Sequence, residues 1–578
     1  MKYKLSLLTL TLAIVGCTSD IHLLPGQAYF KSFTYTGNDP ELCEDSLADG
    51  QIFNPVLQGS YSDPSICRKG SDYYMVTATY SFFPGVAVLH STDLVNWEQI
   101  CYALPSEQQC LNTSLKTDQG VFPATIRYNK FDDYFYITGT LVGGGGHFIV
   151  KAKNPAGPWS DPEWLYGLGG VHPALFIDDN GKAYLLNQGR PDYVPPYPDF
   201  KAIWIQSIDL EKMKNVGERK IILAGGDIPE KKPTWLESPR LFKMDGYYYL
   251  TAAEGGGLGN GYSECVYRSK NVFGPYQRYE NNPILTLRRF SPGRPEAVAG
   301  VGRTDFVQDV NNNWWAFFQG MRTYSESCDY NQGRETFLLP VKFDNGWPYI
   351  IRNGENITMK TQSPNGAKYN NDSIPYQRYI PHGNFTYVEH FMSDTLPMQW
   401  FNLRTPVGTP FIPNTNEGII IPLEINNIRS IRHSGFIAMR QMHNNFTAET
   451  EMHFLPETES EFAGLALFTS DRTNYVYGIT LSDNRPALSV IQSDKDGDRI
   501  FGKEVITMPI QESYEGRVYL RVERQADGFA FKYKFRSSDE FKELINKVSV
   551  EYLSCQRSTT FMGTVIGMYA TQEEGAEK

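Results

Sequence analysis

The sequence predicts an all-β protein, a five-bladed β-propeller followed by a β-sandwich, and three observations carry that expectation. Aromatic residues make up 14% of the chain, with 36 Tyr and 34 Phe, side chains that favour a pleated, half-buried strand over a helix. The 50 Gly and 35 Pro supply the turns that many short strands require. Aromatic strand markers at Tyr73, Tyr134, Tyr184, Tyr247 and Trp314 recur 50 to 67 residues apart, each after a turn bearing Asp, Asn or Gly and before a second strand. Five quasi-repeats of that size fit five four-stranded blades.

The elements follow in order along 578 residues, a length that can bury at least two cores. The chain opens with Met1-Lys2-Tyr3-Lys4, a largely apolar run from Leu5 to Val15, and Gly16-Cys17. A short basic region, an apolar stretch too short to span a bilayer and a small residue before Cys describe a secretion signal over 1–16. Ile14-Val15-Gly16-Cys17 resembles a bacterial lipobox, which implies a lipid on Cys17 and a place in the bacterial cell envelope. Residues 17–50 read as a tether and 51–352 as the propeller. Asn353-Gly354-Glu355-Asn356 and Ser363-Pro364-Asn365-Gly366 mark 353–385 as a linker. Short strand candidates such as Phe436 to Gln441, Thr447 to Met452, Gly464 to Phe468 and Arg517 to Val522 make 386–572 a β-sandwich.

Net charge is −11, and no Lys/Arg cluster interleaved with aromatics is present to track phosphates, which argues against nucleic acid. A neutral or mildly acidic polymer such as a polysaccharide remains compatible, with membrane contact only through the lipid. The 8 Cys show no zinc-site spacing, and removing Cys17 leaves an odd number, so most read as buried thiols with room for one bridge. No cofactor is expected.

Two carboxylates stand in matching places. Asp63, in Gly59-Ser60-Tyr61-Ser62-Asp63-Pro64-Ser65-Ile66, precedes the Tyr73-Tyr74 strand, and Glu237, in Trp235-Leu236-Glu237-Ser238-Pro239, precedes the Tyr247-Tyr248-Tyr249 strand. Hydrolysis of a glycosidic bond with inversion uses an acid and a base about 6.5–9.5 Å apart, leaving room for water. Innermost strands converge on a propeller axis, so acids opening blades 1 and 4 can face one another.

These residues and their neighbours resemble glycoside hydrolase family 43, most closely its β-xylosidase and α-L-arabinofuranosidase members. The likeness runs through Asn54 to Gly59, Ser62-Asp63-Pro64-Ser65-Ile66, Phe83-Pro84-Gly85-Val86, Glu237-Ser238-Pro239, Ala253-Glu254-Gly255-Gly256 and Gly333-Arg334-Glu335-Thr336-Phe337. Gln399 to Pro406 and Glu461 to Leu465 carry it into the second domain, which is therefore expected to be concanavalin-like. The resemblance implies that Asp63 is the general base and Glu237 the general acid of an inverting enzyme. It also implies that Arg322 contacts the sugar and that Tyr80 and Phe122 wall the sugar subsite.

Three positions depart from the family pattern. His172 stands where a third carboxylate tunes the acid, and a neutral His lacks that effect while a charged one opposes it. Asp178 and Asp179 fall in a turn on the far side of the strand and do not replace it. Arg303 and Arg240 stand where His is usual, pointing to a changed substrate, one with a carboxylate or a different ring. The His that holds a calcium ion in some members is absent, so no catalytic metal is expected. A second reading is a lipoprotein that binds glycans on a degenerate propeller without cleaving them.

Overall fold

The structure, a computed structural model, describes residues 24–573 apart from 44–45, 111–113, 370–379, 415–416, 494–501, 512–513 and 526–527. The signal segment and Cys17 lie outside the described residues.

Five antiparallel sheets make the propeller. Blade 1 comprises Ser65–Lys69, Asp72–Thr77, Gly85–Ser91 and Glu98–Leu104. Blades 2, 3 and 4 begin with Thr125–Asn129, Val171–Ile177 and Glu237–Met244. Blade 5 comprises Ala297–Gln308, Trp314–Thr323 and Glu335–Pro340. Each aromatic marker lies at or one residue inside the start of its blade's second strand, for instance Tyr134 on Tyr134–Val142 and Trp314 on Trp314–Thr323. The repeat is legible because every blade carries an aromatic at the start of its second strand.

The innermost strands touch in ring order and the fifth closes onto the first. Asp305 of blade 5 accepts from the Ser65 hydroxyl at 2.7 Å and the Ile66 N–H at 3.0 Å in blade 1, and pairs with Arg127 of blade 2 at 2.9 Å. The segment before blade 1 completes the fifth sheet: Leu57 bridges Thr336, and the Asn54 side chain exchanges hydrogen bonds with the Leu338 backbone. Backbone groups at the ring's seam are thereby satisfied.

Two eight-stranded sheets pack into the sandwich. Phe446–His453 and Arg517–Gln525 alternate buried and exposed residues, as strands with one wet face do. Between the sheets lies a core that includes Phe33, Tyr35, Trp400, Leu465, Tyr477 and Phe531.

Two domain boundaries need correction. Residues 17–50 are not a tether, because Gln27–Gly37 is an interior strand of one sandwich sheet, paired with Phe446–His453 on one side and with Thr386–Glu389 and Ile419–Pro422 on the other. Residues 353–385 are more than a linker: Lys360–Gln362 pairs with Gln51–Phe53, and Ile357 and Met359 join a propeller core. The domains also share a sheet, since Phe82–Phe83 of the propeller pairs with Phe401–Leu403 of the sandwich. The seven described cysteines are free thiols, so there is no bridge among them.

Candidate active site

Four blades aim side chains at the axis by one backbone device. Asp63, His172, Ser238 and Arg303 all have positive φ, between 52° and 60°, the first three at or beside the start of an innermost strand and Arg303 in the middle of Ala297–Gln308. At the last three, register shifts at Val171/Ala174, Glu237/Arg240 and Gly302/Asp305 mark bulges. A bulge re-aims the side chain that a regular strand would send into the sheet, and φ above zero in a non-glycine residue costs on the order of 1–3 kcal/mol. Spending that strain at the same place in several blades concentrates chemistry on the axis.

Asp63 and Glu237 are each 1% exposed. One guanidinium joins them: Arg303 Nη1 donates to Asp63 Oδ1 and Nη2 to Glu237 Oε1 at 3.2 Å. Arg303 Nε donates to the Tyr262 hydroxyl at 2.9 Å, and that hydroxyl donates to Glu237 Oε1 at 2.8 Å. The other oxygen of Asp63 receives Arg334 Nη2 at 3.0 Å and the Tyr80 hydroxyl at 2.9 Å. Burial alone would raise the Asp63 pKa, but the guanidiniums of Arg303 and Arg334 outweigh it and hold the carboxyl well below its usual range. Burial keeps Tyr80 and Tyr262 as phenols, so both are donors here.

His172 lies beside Glu237, its Nε2 3.8 Å from Oε2 and its Nδ1 2.5 Å from the Ser238 hydroxyl. Burial first, and Arg303 second, push its pKa well below the ordinary imidazole value, so the ring is neutral. Neither tuning effect of a charged neighbour operates there.

Tyr80 meets Phe122 edge-on, with ring centroids 5.4 Å apart, and stacks on Phe561 at 6.2 Å. Phe561 comes from the sandwich, and the Arg334 guanidinium sits 5.0 Å from its ring. The approach is possible because Gly333, at φ 76°, has no side chain: a Cβ there would stand 2.5 Å from the Gly563 nitrogen. The sandwich thus supplies one wall of a propeller site.

The structure separates the other two predicted cations from the centre. Arg322 is bound by Glu335 at 2.7 Å, Asp39 at 2.9 Å and the Met442 carbonyl at 2.6 Å. It welds the propeller to the sandwich, and the guanidiniums beside Asp63 are those of Arg303 and Arg334. Arg240 lies one layer below, 3.7 Å from Asp305, as scaffold. Asp178 faces Lys243 and Tyr248, away from Glu237. Sequence reasoning missed Arg334, Tyr262 and Phe561. Gly333-Arg334-Glu335 was visible as a motif, but nothing in it tells which of several arginines turns inward. Among the described residues no three His, Cys, Asp or Glu side chains are grouped to hold a metal ion.

Comparison with known proteins gives the chain its family. The profile of Glycosyl hydrolases family 43 matches residues 52–348, and that of the Beta xylosidase C-terminal Concanavalin A-like domain matches 388–578. The chain belongs to glycosyl hydrolase family 43. This family 43 hydrolase is 35% identical over 73% of its length to a xylosidase/arabinosidase of Butyrivibrio fibrisolvens, covering 78% of that protein. A non-reducing end alpha-L-arabinofuranosidase of Bacteroides ovatus is 32% identical, with 91% of this chain and 92% of the relative covered. A solved structure of a GH43_12 protein retrieved from capybara gut metagenome superimposes with a TM-score of 0.85 at 34% identity, over 94% of this chain and 99% of that one.

Proposed function

We propose that this hydrolase removes the terminal sugar from oligomers of plant-type polysaccharides, in the manner of a β-xylosidase or α-L-arabinofuranosidase, with inversion, Glu237 as acid and Asp63 as base. The observation that carries the reading is that acids from blades 1 and 4 share one buried guanidinium. Inversion requires room for a water between two such carboxyls, which stand about 6.5–9.5 Å apart in inverting enzymes. Glu237 gives its proton to the glycosidic oxygen as the C1–O bond breaks. A water oxygen bonds to C1 from the opposite face, and its proton passes to Asp63. A carboxylate held ionised at Asp63 suits the base, and Tyr80 and Arg334 fix its orientation.

The reading as a propeller that binds glycans without cleaving them is not favoured, since both acids are kept at the axis and the matched relatives are named as hydrolases. The lipobox-like sequence supports a lipid anchor on Cys17 in the bacterial cell envelope. Incubation with xylo- and arabino-oligosaccharides, followed by NMR of the first-formed sugar, tests the mechanism. The inverted anomer is expected, and a retained anomer rules out this use of the two carboxylates.

A further inference from the structure

The strand that carries Arg303 breaks its ladder at that residue. Gly302 pairs with Gln319 and Asp305 with Phe317, so Arg303 and Thr304 together stand opposite the single residue Phe318. A bulge of this kind leaves a residue unpaired within the sheet, and a buried N–H there needs a partner from elsewhere. The partner comes from another blade. Glu264, on Ser263–Ser269 of blade 4, accepts from the Thr304 N–H through Oε2 at 3.1 Å.

A carboxyl in this place calls for a reason. Glu264 is fully buried, makes no ion pair among the described residues, and its Oε1 has no hydrogen-bond partner. Glutamate is almost never fully buried unless it is paired, because burying it is costly. Burial pushes its pKa up to about 8 against the opposing Thr304 N–H and Arg240, so near neutral pH one oxygen carries a proton while the other still accepts. The same short stretch also holds the far end of the arginine. Tyr262, two residues earlier, accepts from Arg303 Nε at 2.9 Å, and from there the guanidinium reaches Asp63 and Glu237. Glu264 thus fixes the backbone from which Arg303 starts, and Tyr262 fixes where its side chain ends.

We propose that Glu264 is a positioning residue, which by holding the Thr304 N–H locks the bulge that turns Arg303 toward Asp63 and Glu237. The inference rests on the reading of those two acids as the hydrolytic pair and deepens it. What position 264 supplies is an acceptor at the reach of a glutamate, not a charge. Glutamine keeps that reach and a carbonyl oxygen, whereas aspartate keeps the acid and falls one methylene short.

Glu264→Gln, Glu264→Asp and Glu264→Met separate these features. With an aryl xyloside or arabinofuranoside, kcat should fall about tenfold or more in Glu264→Asp and Glu264→Met with KM within about threefold, and Glu264→Gln should restore kcat to within about threefold of the wild type. In an Arg303→Ala background, Glu264→Asp should change kcat less than about twofold, since its effect passes through Arg303. Crystal structures read the geometry without turnover: Arg303 should keep both Asp63 and Glu237 in Glu264→Gln and lose at least one of them in Glu264→Asp. The inference falls if Arg303 keeps both contacts in Glu264→Asp, if Glu264→Gln is impaired as much as Glu264→Asp, or if the effects at 264 and 303 simply add. A lower urea midpoint with kcat unchanged in Glu264→Asp also overturns it, leaving a purely structural role. Displacement of Arg303 in crystals of Glu264→Asp, with no glycoside turned over by the wild type, keeps the positioning role and overturns the hydrolytic reading.

Discussion

Arg303 holds two carboxylates in a space almost closed to solvent, and removing it leaves both with fewer partners. Breaking a buried ion pair by deleting one side costs about 3–5 kcal/mol, so Arg303→Ala should lower the midpoint of urea unfolding by a corresponding amount. Arg303→Lys keeps the charge but cannot reach Asp63, Glu237 and Tyr262 at once, and should recover only part of the loss. A midpoint unchanged in Arg303→Ala contradicts the bridging role. His172 is neutral because burial, backed by Arg303, denies it a proton. His172→Asn should therefore leave both limbs of the pH–rate profile within about half a unit of the wild type, and a larger movement means that the imidazole titrates in the working range. Glu264 lies against the Thr304 N–H at 3.1 Å, and burial pushes its pKa up to about 8. The folded state thus holds this proton more tightly than the unfolded chain, where a Glu titrates near ~4.3. Its stabilising contribution is complete below that value and is lost as pH rises through about 8. Glu264→Gln should flatten the decline of stability across this window, and an unaltered decline assigns it to other groups.

At the level of single elements, Gln27–Gly37 shows what was hidden in the sequence. Its apolar alternation through Ala28, Phe30, Phe33 and Tyr35 is interrupted by a register shift between Phe30 and Ser32, so period-two counting fails. Its partner, Phe446–His453, lies some four hundred residues away, beyond any local signal. Phe33 is fully buried, and Phe33→Ala should cost about 3–5 kcal/mol of stability, measured by chemical denaturation. Removing residues 1–37 should abolish soluble folded protein, whereas removing 1–24 should not. A stable protein lacking 1–37 shows that the strand is dispensable. The blades, by contrast, were legible because each repeats one aromatic at one position. Asp63, Glu237 and His172 were legible because each opens a blade beside a recognisable turn. Arg322 was misread because a motif fixes an arginine's place on a strand without fixing which way the long side chain runs.

At the scale of the whole molecule the two domains are joined by buried contacts, some of them beside Asp63. Phe82–Phe83 extends the sandwich sheet, Gly333 admits Gly563, and Arg322 ties blade 5 to Asp39 and Met442. None of these contacts is written in either domain alone, which explains why Phe561 escaped notice. Arg322→Ala strands Glu335 and Asp39 without their cation and should destabilise the protein by about 3–5 kcal/mol while leaving KM within twofold. A raised KM with unchanged stability instead returns Arg322 to the sugar. The roles of the two acids are most directly separated by kcat/KM for aryl glycosides of graded leaving-group basicity, measured on Glu237→Gln and Asp63→Asn. An amide at 237 cannot protonate the departing oxygen, so that variant should lose progressively more activity as the leaving group becomes more basic, reaching about 10²–10⁴-fold on natural oligosaccharides. Asp63→Asn should lose a similar factor across the whole series, because water must be activated whatever departs. Wild-type rates on a natural oligosaccharide in Glu237→Gln, or a leaving-group dependence confined to Asp63→Asn, contradict the assignment.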